Sequence, residues 1–206
     1  MIEMVLDMNG KLITLEGIDG SGKSTITERL KNHPSLSDVV FTREPTKNWI
    51  GKAVEQAIQS DTDQIAEFFL FTSDHAEHIA KLIKPSLENG HNIISDRYLD
   101  SRCAYQGATL SDRFEDPIKW IKSIHKGWTV IPNLTIFLDI DPEFATERCG
   151  NRGQQTKFEK MEFLQQVYDN YQKLIIEEPE RFAVVDSNQP IEEVEKEVVD
   201  VITSYI

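Results

Sequence analysis

The amino-acid sequence predicts an α/β fold in which a five-stranded parallel sheet is surrounded by helices. Two observations carry that expectation. Short apolar runs alternate with helix-compatible stretches along the chain, and the first run leads into the glycine-rich segment LEGIDGSGKST, residues 15–25, just ahead of a helix. With 206 residues and no internal repeat or low-complexity block, the chain is long enough for one substantial core, so a single domain over 1–206 is expected.

Taken in order, Lys11 to Glu16 reads as a buried strand and Thr25 to Lys31 as the helix after the glycine-rich loop. Asp38 to Thr42 is a short second strand, followed by a turn at Pro45 and a helical stretch near Asn48 to Ser60. A long periodic segment then runs from Gln64 to Glu88, with Asp61, Thr62 and Asp63 as candidate caps and Asn89-Gly90 as its stop. Its apolar positions, Ile65, Phe68, Phe69, Ile79, Leu82 and Ile83, suit a core or a subunit interface. Asn92 to Ser95, Thr135 to Leu138 and Phe182 to Val185 are the third, fourth and fifth strands. Ligands of such sheets collect at the carboxyl ends of the strands. That rule brings Gly17 to Ser24, Arg43-Glu44, Asp96-Arg97 and Asp139 to Asp141 to one edge.

The composition narrows the partners. A formal charge of -13 disfavours attachment to nucleic acid or to an anionic membrane. No apolar run reaches membrane-spanning length, and the opening MIEMVLDMNG lacks a basic leader region, so a soluble, cytoplasmic protein is expected. Cys103 and Cys149 have no Cys-x-x-Cys spacing, which suggests neither a disulfide framework nor a thiolate zinc site. Against so acidic a background an anionic ligand needs local cations, which makes the placement of Arg and Lys informative.

Gly17 through Ser24 fits G-x-x-x-x-G-K-[ST]. Its glycines allow backbone N–H groups to turn inward around oxyanions, Lys23 reaches outer phosphates, and the Ser24 hydroxyl suits Mg²⁺ beside a helix N-terminus. Asp96 ends an apolar strand, where a protein with such a loop needs a carboxylate for Mg²⁺ or its waters. Arg97 follows directly, and DRYLDSRCAYQG adds Tyr98, Ser101, Arg102, Tyr105 and Gln106 to the same sheet edge.

Here the sequence resembles the thymidylate kinases. LEGIDGSGKST, FTREP (41–45), LFTSDHAEH (70–78), SDRY (95–98) and SRCAYQG (101–107) occur in that family's order and at comparable spacing, and haloarchaeal members with TREPT and DSRxAYQG variants look especially similar. The resemblance implies the P-loop nucleoside monophosphate kinase fold with a lid segment, and transfer of phosphate from ATP to dTMP with Mg²⁺ to give dTDP for dTTP synthesis. It also implies a homodimer. Carried over by position, the loop Gly17, Ile18, Asp19, Gly20, Ser21, Gly22, Lys23, Ser24 and Thr25 would hold ATP, and Ser24 with Asp96 would organise the metal. Arg97 matches the arginine that grips the dTMP phosphate, and Asp19 matches an aspartate near the acceptor's 3′-hydroxyl. Arg43 and Glu44 fall within the acceptor site. Phe71 matches the ring that stacks on thymine, Ser101 and Gln106 match residues that read its polar edge, and Tyr105 matches the ring beside the 2′ position. The segment ERCGNRGQQTKFE, Glu147 to Glu159, looks like the lid. From it Arg148, Arg152 and Lys157 could close over ATP and stabilise the transferring charge. Gly20 and Ser21 occupy positions where one branch of the family has an arginine, so the lid branch fits better.

Three positions depart from the common family pattern. His75 stands where an arginine often contacts thymine, Arg102 where a small polar residue is usual, and Thr46-Lys47 where Gly-Gly follows TREP. Arg102 either compensates for the missing arginine or faces solvent. His75 and His78, three apart on a helix, have no third partner at a metal-binding spacing. Two other functions share parts of this sequence: a kinase for another nucleoside monophosphate, and a nucleotide switch of the GTPase kind. The switch calls for a guanine-reading N-K-x-D, which the chain lacks, and leaves Arg97 unexplained.

Overall fold

The first strand, β1 (Leu12–Glu16), is buried along its whole length, as a strand at the middle of a sheet must be. A computed structural model describes residues 9–150 and 160–206, and its chain order is regular. After β1 come α1 (Lys23–Lys31), β2 (Val40–Arg43), α2 (Trp49–Ile58), α3 (Gln64–His78) and α4 (Lys84–Glu88). Then follow β3 (Ile93–Asp96), α5 (Leu99–Thr109), α6 (Pro117–His125), β4 (Leu134–Asp139), α7 (Pro142–Gly150), α8 (Met161–Glu177), β5 (Phe182–Asp186) and α9 (Ile191–Tyr205). All five strands are parallel, in the order β2-β3-β1-β4-β5. None of the described helices is long and apolar enough to cross a membrane.

Side chains on β1 alternate between two cores. Ile13 and Leu15 pack with α1 and α9 through Ile26, Leu30, Val194, Val198 and Ile202. Leu12 faces the other core, built from Phe68, Tyr98, Cys103, Ile121, Val167 and Tyr171 of the loop and helices on that side. Thr14 and Glu16 share the face of Leu12, so β1 turns polar on one side as it approaches its carboxyl end. Thr14 Oγ1 meets Thr135 Oγ1 at 2.9 Å, and Thr135 in turn donates to Asp100 at 2.8 Å.

The connection after β1 runs to β2 on one side, and the connection after β3 runs to β4 on the other. The crevice between β1 and β3 is therefore the switch point at which such sheets bind ligands. Register sharpens this, because Asp96 pairs with Leu15 across one ladder and with Arg43 across the next. Arg43, Asp96 and the start of the glycine-rich loop lie on one line across the sheet edge.

The stretch expected as one helix over Gln64–Glu88 is continuous, but it widens to a π turn at Ile79–Ile83 between α3 and α4. Of the three candidate caps, Asp63 is the one used, accepting from the N–H groups of Ile65 at 2.9 Å and Ala66 at 3.3 Å.

Candidate active site

The glycine-rich loop wraps closely around Lys23, whose Nζ donates to the carbonyls of Gly17 and Ile18 at 2.8 Å each and to Ser21 Oγ at 3.2 Å. Lys23 is 6% exposed, and its burial, with the charge of Arg97, lowers its pKa to about 8. Glycine is required at position 20, where φ is +92° and a Cβ would stand 2.4 Å from the Ala145 carbonyl of α7. Asp19, Gly20, Gly22, Lys23, Ser24 and Thr25 line a cavity of roughly 200 Å³, closed on its far side by Arg43, Glu44, Asp96 and Arg97. Ser24 and Asp96 thus share one cavity. Ile18 and Ser21 support the loop from beneath, buried at 0% and 2% exposure.

Arg97 joins this cavity to a second one. Its backbone lies at φ +69°, a conformation side-chain-bearing residues adopt only when their surroundings hold them in it. Nη1 donates to the Gly17 carbonyl at 3.1 Å and to Ser101 Oγ at 3.0 Å, while Nη2 donates to Asp19 Oδ1 and to the Tyr105 hydroxyl at 3.2 Å. The guanidinium also lies 4.8 Å from the Tyr105 ring centroid. Beneath it sits Glu16, wholly buried, which accepts from Tyr98 N–H, Ser101 Oγ and Tyr171 OH.

The second cavity, roughly 290 Å³, is lined by Asp19, Glu44, Phe71, Arg97, Ser101, Arg102, Tyr105 and Gln106, together with Pro45, Ile58 and Tyr98. Its floor is a buried charge cluster. Arg102 Nη2 donates to Glu44 Oε2 at 2.7 Å, and the Nδ1 atoms of His75 and His78 approach Glu44 Oε1 at 2.8 and 2.9 Å. A carboxylate only accepts, so both histidines carry their proton on Nδ1. Burial alone would raise the pKa of Glu44, yet His75, His78 and Arg102 outweigh it and hold the carboxyl well below the usual range. Burial keeps His75 neutral.

One expectation needs correction here, and one of the two alternatives for Arg102 falls away. His75, counted with the acceptor-binding residues, does not line the cavity: it is 0% exposed and stands behind Glu44, with Nε2 on Thr129 Oγ1 at 2.8 Å. Arg102 does not face solvent, being 3% exposed under the Phe71 ring at 5.3 Å. Its Nε and Nη1 have no hydrogen-bond partner among the described residues. His78 likewise closes onto protein, with Nε2 on Thr42 Oγ1 at 2.7 Å. No group of three or more His, Cys, Asp or Glu among the described residues is arranged to hold a metal.

Arg148 lies in the last turn of α7, exposed, 3.4 Å from the Ser187 carbonyl, and lines neither cavity. Arg152, Lys157 and most of the expected lid fall outside the described residues. Sequence reasoning missed Glu16, Tyr171, Pro45 and Ile58. Lys11 to Glu16 reads as a buried strand, but nothing in the run marks Glu16 as the partner of groups in the acceptor pocket.

A phosphate loop, a strand-end carboxylate and a second pocket joined to them by one arginine define a P-loop phosphotransferase with an acceptor site. The family model for thymidylate kinase matches residues 15–198. "Probable thymidylate kinase" of Methanosarcina mazei is 61% identical over 202 residues, covering 97% of this chain and 98% of that protein. The protein of the same name from Methanococcoides burtonii is 60% identical over 199 residues, with 97% and 99% covered. That of Natronomonas pharaonis is 46% identical over 179 residues, with 86% and 90% covered. The chain belongs to the thymidylate kinase family and is a nucleoside monophosphate kinase.

Proposed function

We propose that the protein transfers the γ-phosphoryl group of ATP to dTMP, giving ADP and dTDP. The observation that carries this reading is the position of Arg97, whose fork touches Gly17 and Asp19 of the phosphate loop on one side and Ser101 and Tyr105 of the acceptor pocket on the other. Transfer between two anions needs positioning and charge neutralisation more than covalent help. Lys23 and the loop amides hold the donor phosphates, and Arg97 with Arg43 takes the acceptor phosphate. Phe71 stacks on the base, and Tyr105 packs against the sugar. Arg102 lines the acceptor pocket beside Phe71, which supports its serving the base side in place of an arginine at position 75.

Ser24 and Asp96 offer hard oxygen donors to one cavity, the donor chemistry Mg²⁺ prefers. When bound, the ion neutralises and orients the donor phosphates. The lid cations Arg148 and Arg152 are assigned to the donor side on the family resemblance. The reading extends to a cytoplasmic homodimer without nucleic-acid or membrane partners. Buried thiols at Cys103 and Cys149 suit a reducing compartment, and Phe69, 47% exposed on α3, suits a subunit contact.

The test is coupled ADP release with Mg-ATP against dTMP, dUMP, UMP, AMP, CMP and GMP. Preference for dTMP is expected, with its KM raised at least about tenfold in Arg97→Ala. Preference for CMP or AMP would move the substrate, and absence of transfer to every acceptor would overturn the reading.

A further inference from the structure

Glu16 has no solvent exposure and no part in the chemistry just described, yet it makes three hydrogen bonds at the junction of the two cavities. Oε1 accepts from Tyr98 N–H at 2.8 Å, and Oε2 accepts from Ser101 Oγ and from Tyr171 OH, the latter at 2.8 Å. Tyr98 is the residue after Arg97, so this bond fixes one flank of the left-handed turn. The other restraints on that turn are Arg97 N–H to the Leu15 carbonyl at 3.0 Å and Ser95 Oγ to the Arg97 carbonyl at 2.7 Å. The bond to Ser101 does something further. With its proton committed to Glu16, the serine oxygen presents a lone pair to Arg97 Nη1, 3.0 Å away.

We propose that Glu16 is a positioning residue for the acceptor phosphate: from the end of β1 it holds the turn that carries Arg97 and sets the direction of the Ser101 hydroxyl, so that the guanidinium fork is preset. The inference rests on the assignment of Arg97 to that phosphate. Four ionisable groups face Glu16: Asp100 on α5, Arg97 in the turn before it, Lys23 on α1, and Tyr171 on α8. Burial first, and then Asp100, raises the pKa of Glu16 to about 7. Above that pH the carboxylate accepts both hydroxyls. Below it, the carboxyl proton competes for the Ser101 or Tyr171 oxygen and turns a hydroxyl proton toward Arg97, which repels it. Acceptor affinity therefore rises through a step near pH 7, above the second ionisation of a phosphate monoester near about 6.

The experiment compares wild type, Glu16→Gln, Ser101→Ala and the double variant by acceptor and ATP KM from pH 5.5 to 8.5, with thermal melting alongside. Glu16→Gln is expected to raise the dTMP KM about tenfold at pH 8 with the ATP KM within about twofold, and to lose the step near pH 7. The double variant should fall short of the product of the two singles, since Glu16 acts partly through Ser101. A folded Glu16→Gln with unchanged dTMP KM, or with donor and acceptor KM raised alike, would overturn the proposal. Should Glu16→Gln fail to fold, Ser101→Ala carries the test, because it lacks the hydroxyl that reports the charge of Glu16. A full step near pH 7 in that variant would also overturn it. An Arg97→Ala enzyme with wild-type dTMP KM would instead sink the underlying assignment of Arg97.

Discussion

Arg102 illustrates how a single side chain can be visible as a sequence anomaly while its role stays hidden. Its presence in place of a small residue was evident, but its partner Glu44 is 58 positions away and is brought to it by the pairing of β2 with β3. Glu44 is enclosed by the Arg102 guanidinium and the Nδ1 atoms of two imidazoles, and both of its oxygens are taken. Removing the cation leaves a buried carboxylate uncompensated, which typically costs about 3–5 kcal/mol. Arg102→Met is therefore expected to lower the unfolding free energy at pH 7 by that amount in urea titrations. A second substitution, Glu44→Gln, should recover part of the loss. A loss below about 1 kcal/mol for Arg102→Met would mean that the histidines suffice to hold Glu44. Glu16 was less legible still, because its burial depends on Tyr171, which reaches it from 155 residues away.

At the scale of elements, the periodicity of α3 was readable and its consequences follow from helix geometry. Phe71, His75 and His78 are spaced four and three apart, so one face of the helix serves the acceptor pocket and its floor. The π turn at Ile79–Ile83 was not readable, because apolar residues there satisfy regular and widened winding equally well. Helix α6 packs against α3 through His125, which donates from Nδ1 to the Ile121 carbonyl at 2.8 Å and sits edge-on to Phe68 and His75. Burial, reinforced by the charge of Arg102, lowers the His125 pKa to about 3. At this histidine, near the ordinary 6.5 when unfolded, the unfolded chain binds more protons than the native state between those values, so its contribution to stability falls as pH drops below 6.5, opposed by Glu16, whose raised pKa acts with the other sign. The limit is about 1.4 kcal/mol per pH unit for one group. Between pH 6.5 and 4.5 the depressed carboxyl of Glu44 has not begun to contribute. In that window His125→Leu should make the fall in unfolding free energy shallower by about 1 kcal/mol per pH unit. An unaltered slope would show that α6 yields locally before the histidine is forced to stay neutral.

Across the whole molecule, alternation of strands and helices foretold a parallel sheet, and the loop motif foretold which edge would carry the chemistry. The strand order β2-β3-β1-β4-β5 was not contained in any local pattern, since it follows from which apolar faces find one another. The charge of -13 is also a global property, and it divides the response to salt into two opposing parts. On α9, Glu192, Glu193, Glu195, Glu197 and Asp200 crowd like charges on one element, only Glu192 and Glu195 among them meeting Arg29 of α1, and the self-repulsion of the net negative charge opposes the compact state. The exposed pair Arg113–Asp63, at 3.1 Å, contributes little against it. Raising KCl from 0.05 to 1 M shortens the screening length to about 3 Å and relieves the repulsion. A gain of about 1 kcal/mol would raise the melting temperature of a chain this size by about 2–4 °C. On the proposed assignment of Arg43 and Arg97 to the acceptor phosphate, the binding edge responds the other way, because these cations attract the acceptor against the surrounding field and screening weakens that attraction. The expected result is a melting temperature and a dTMP KM that both rise with KCl. A melting temperature that fell instead would mean that surface ion pairs outweigh the net negative charge, and a KM that fell would mean that the global field, more than the local cations, governs the approach of the acceptor.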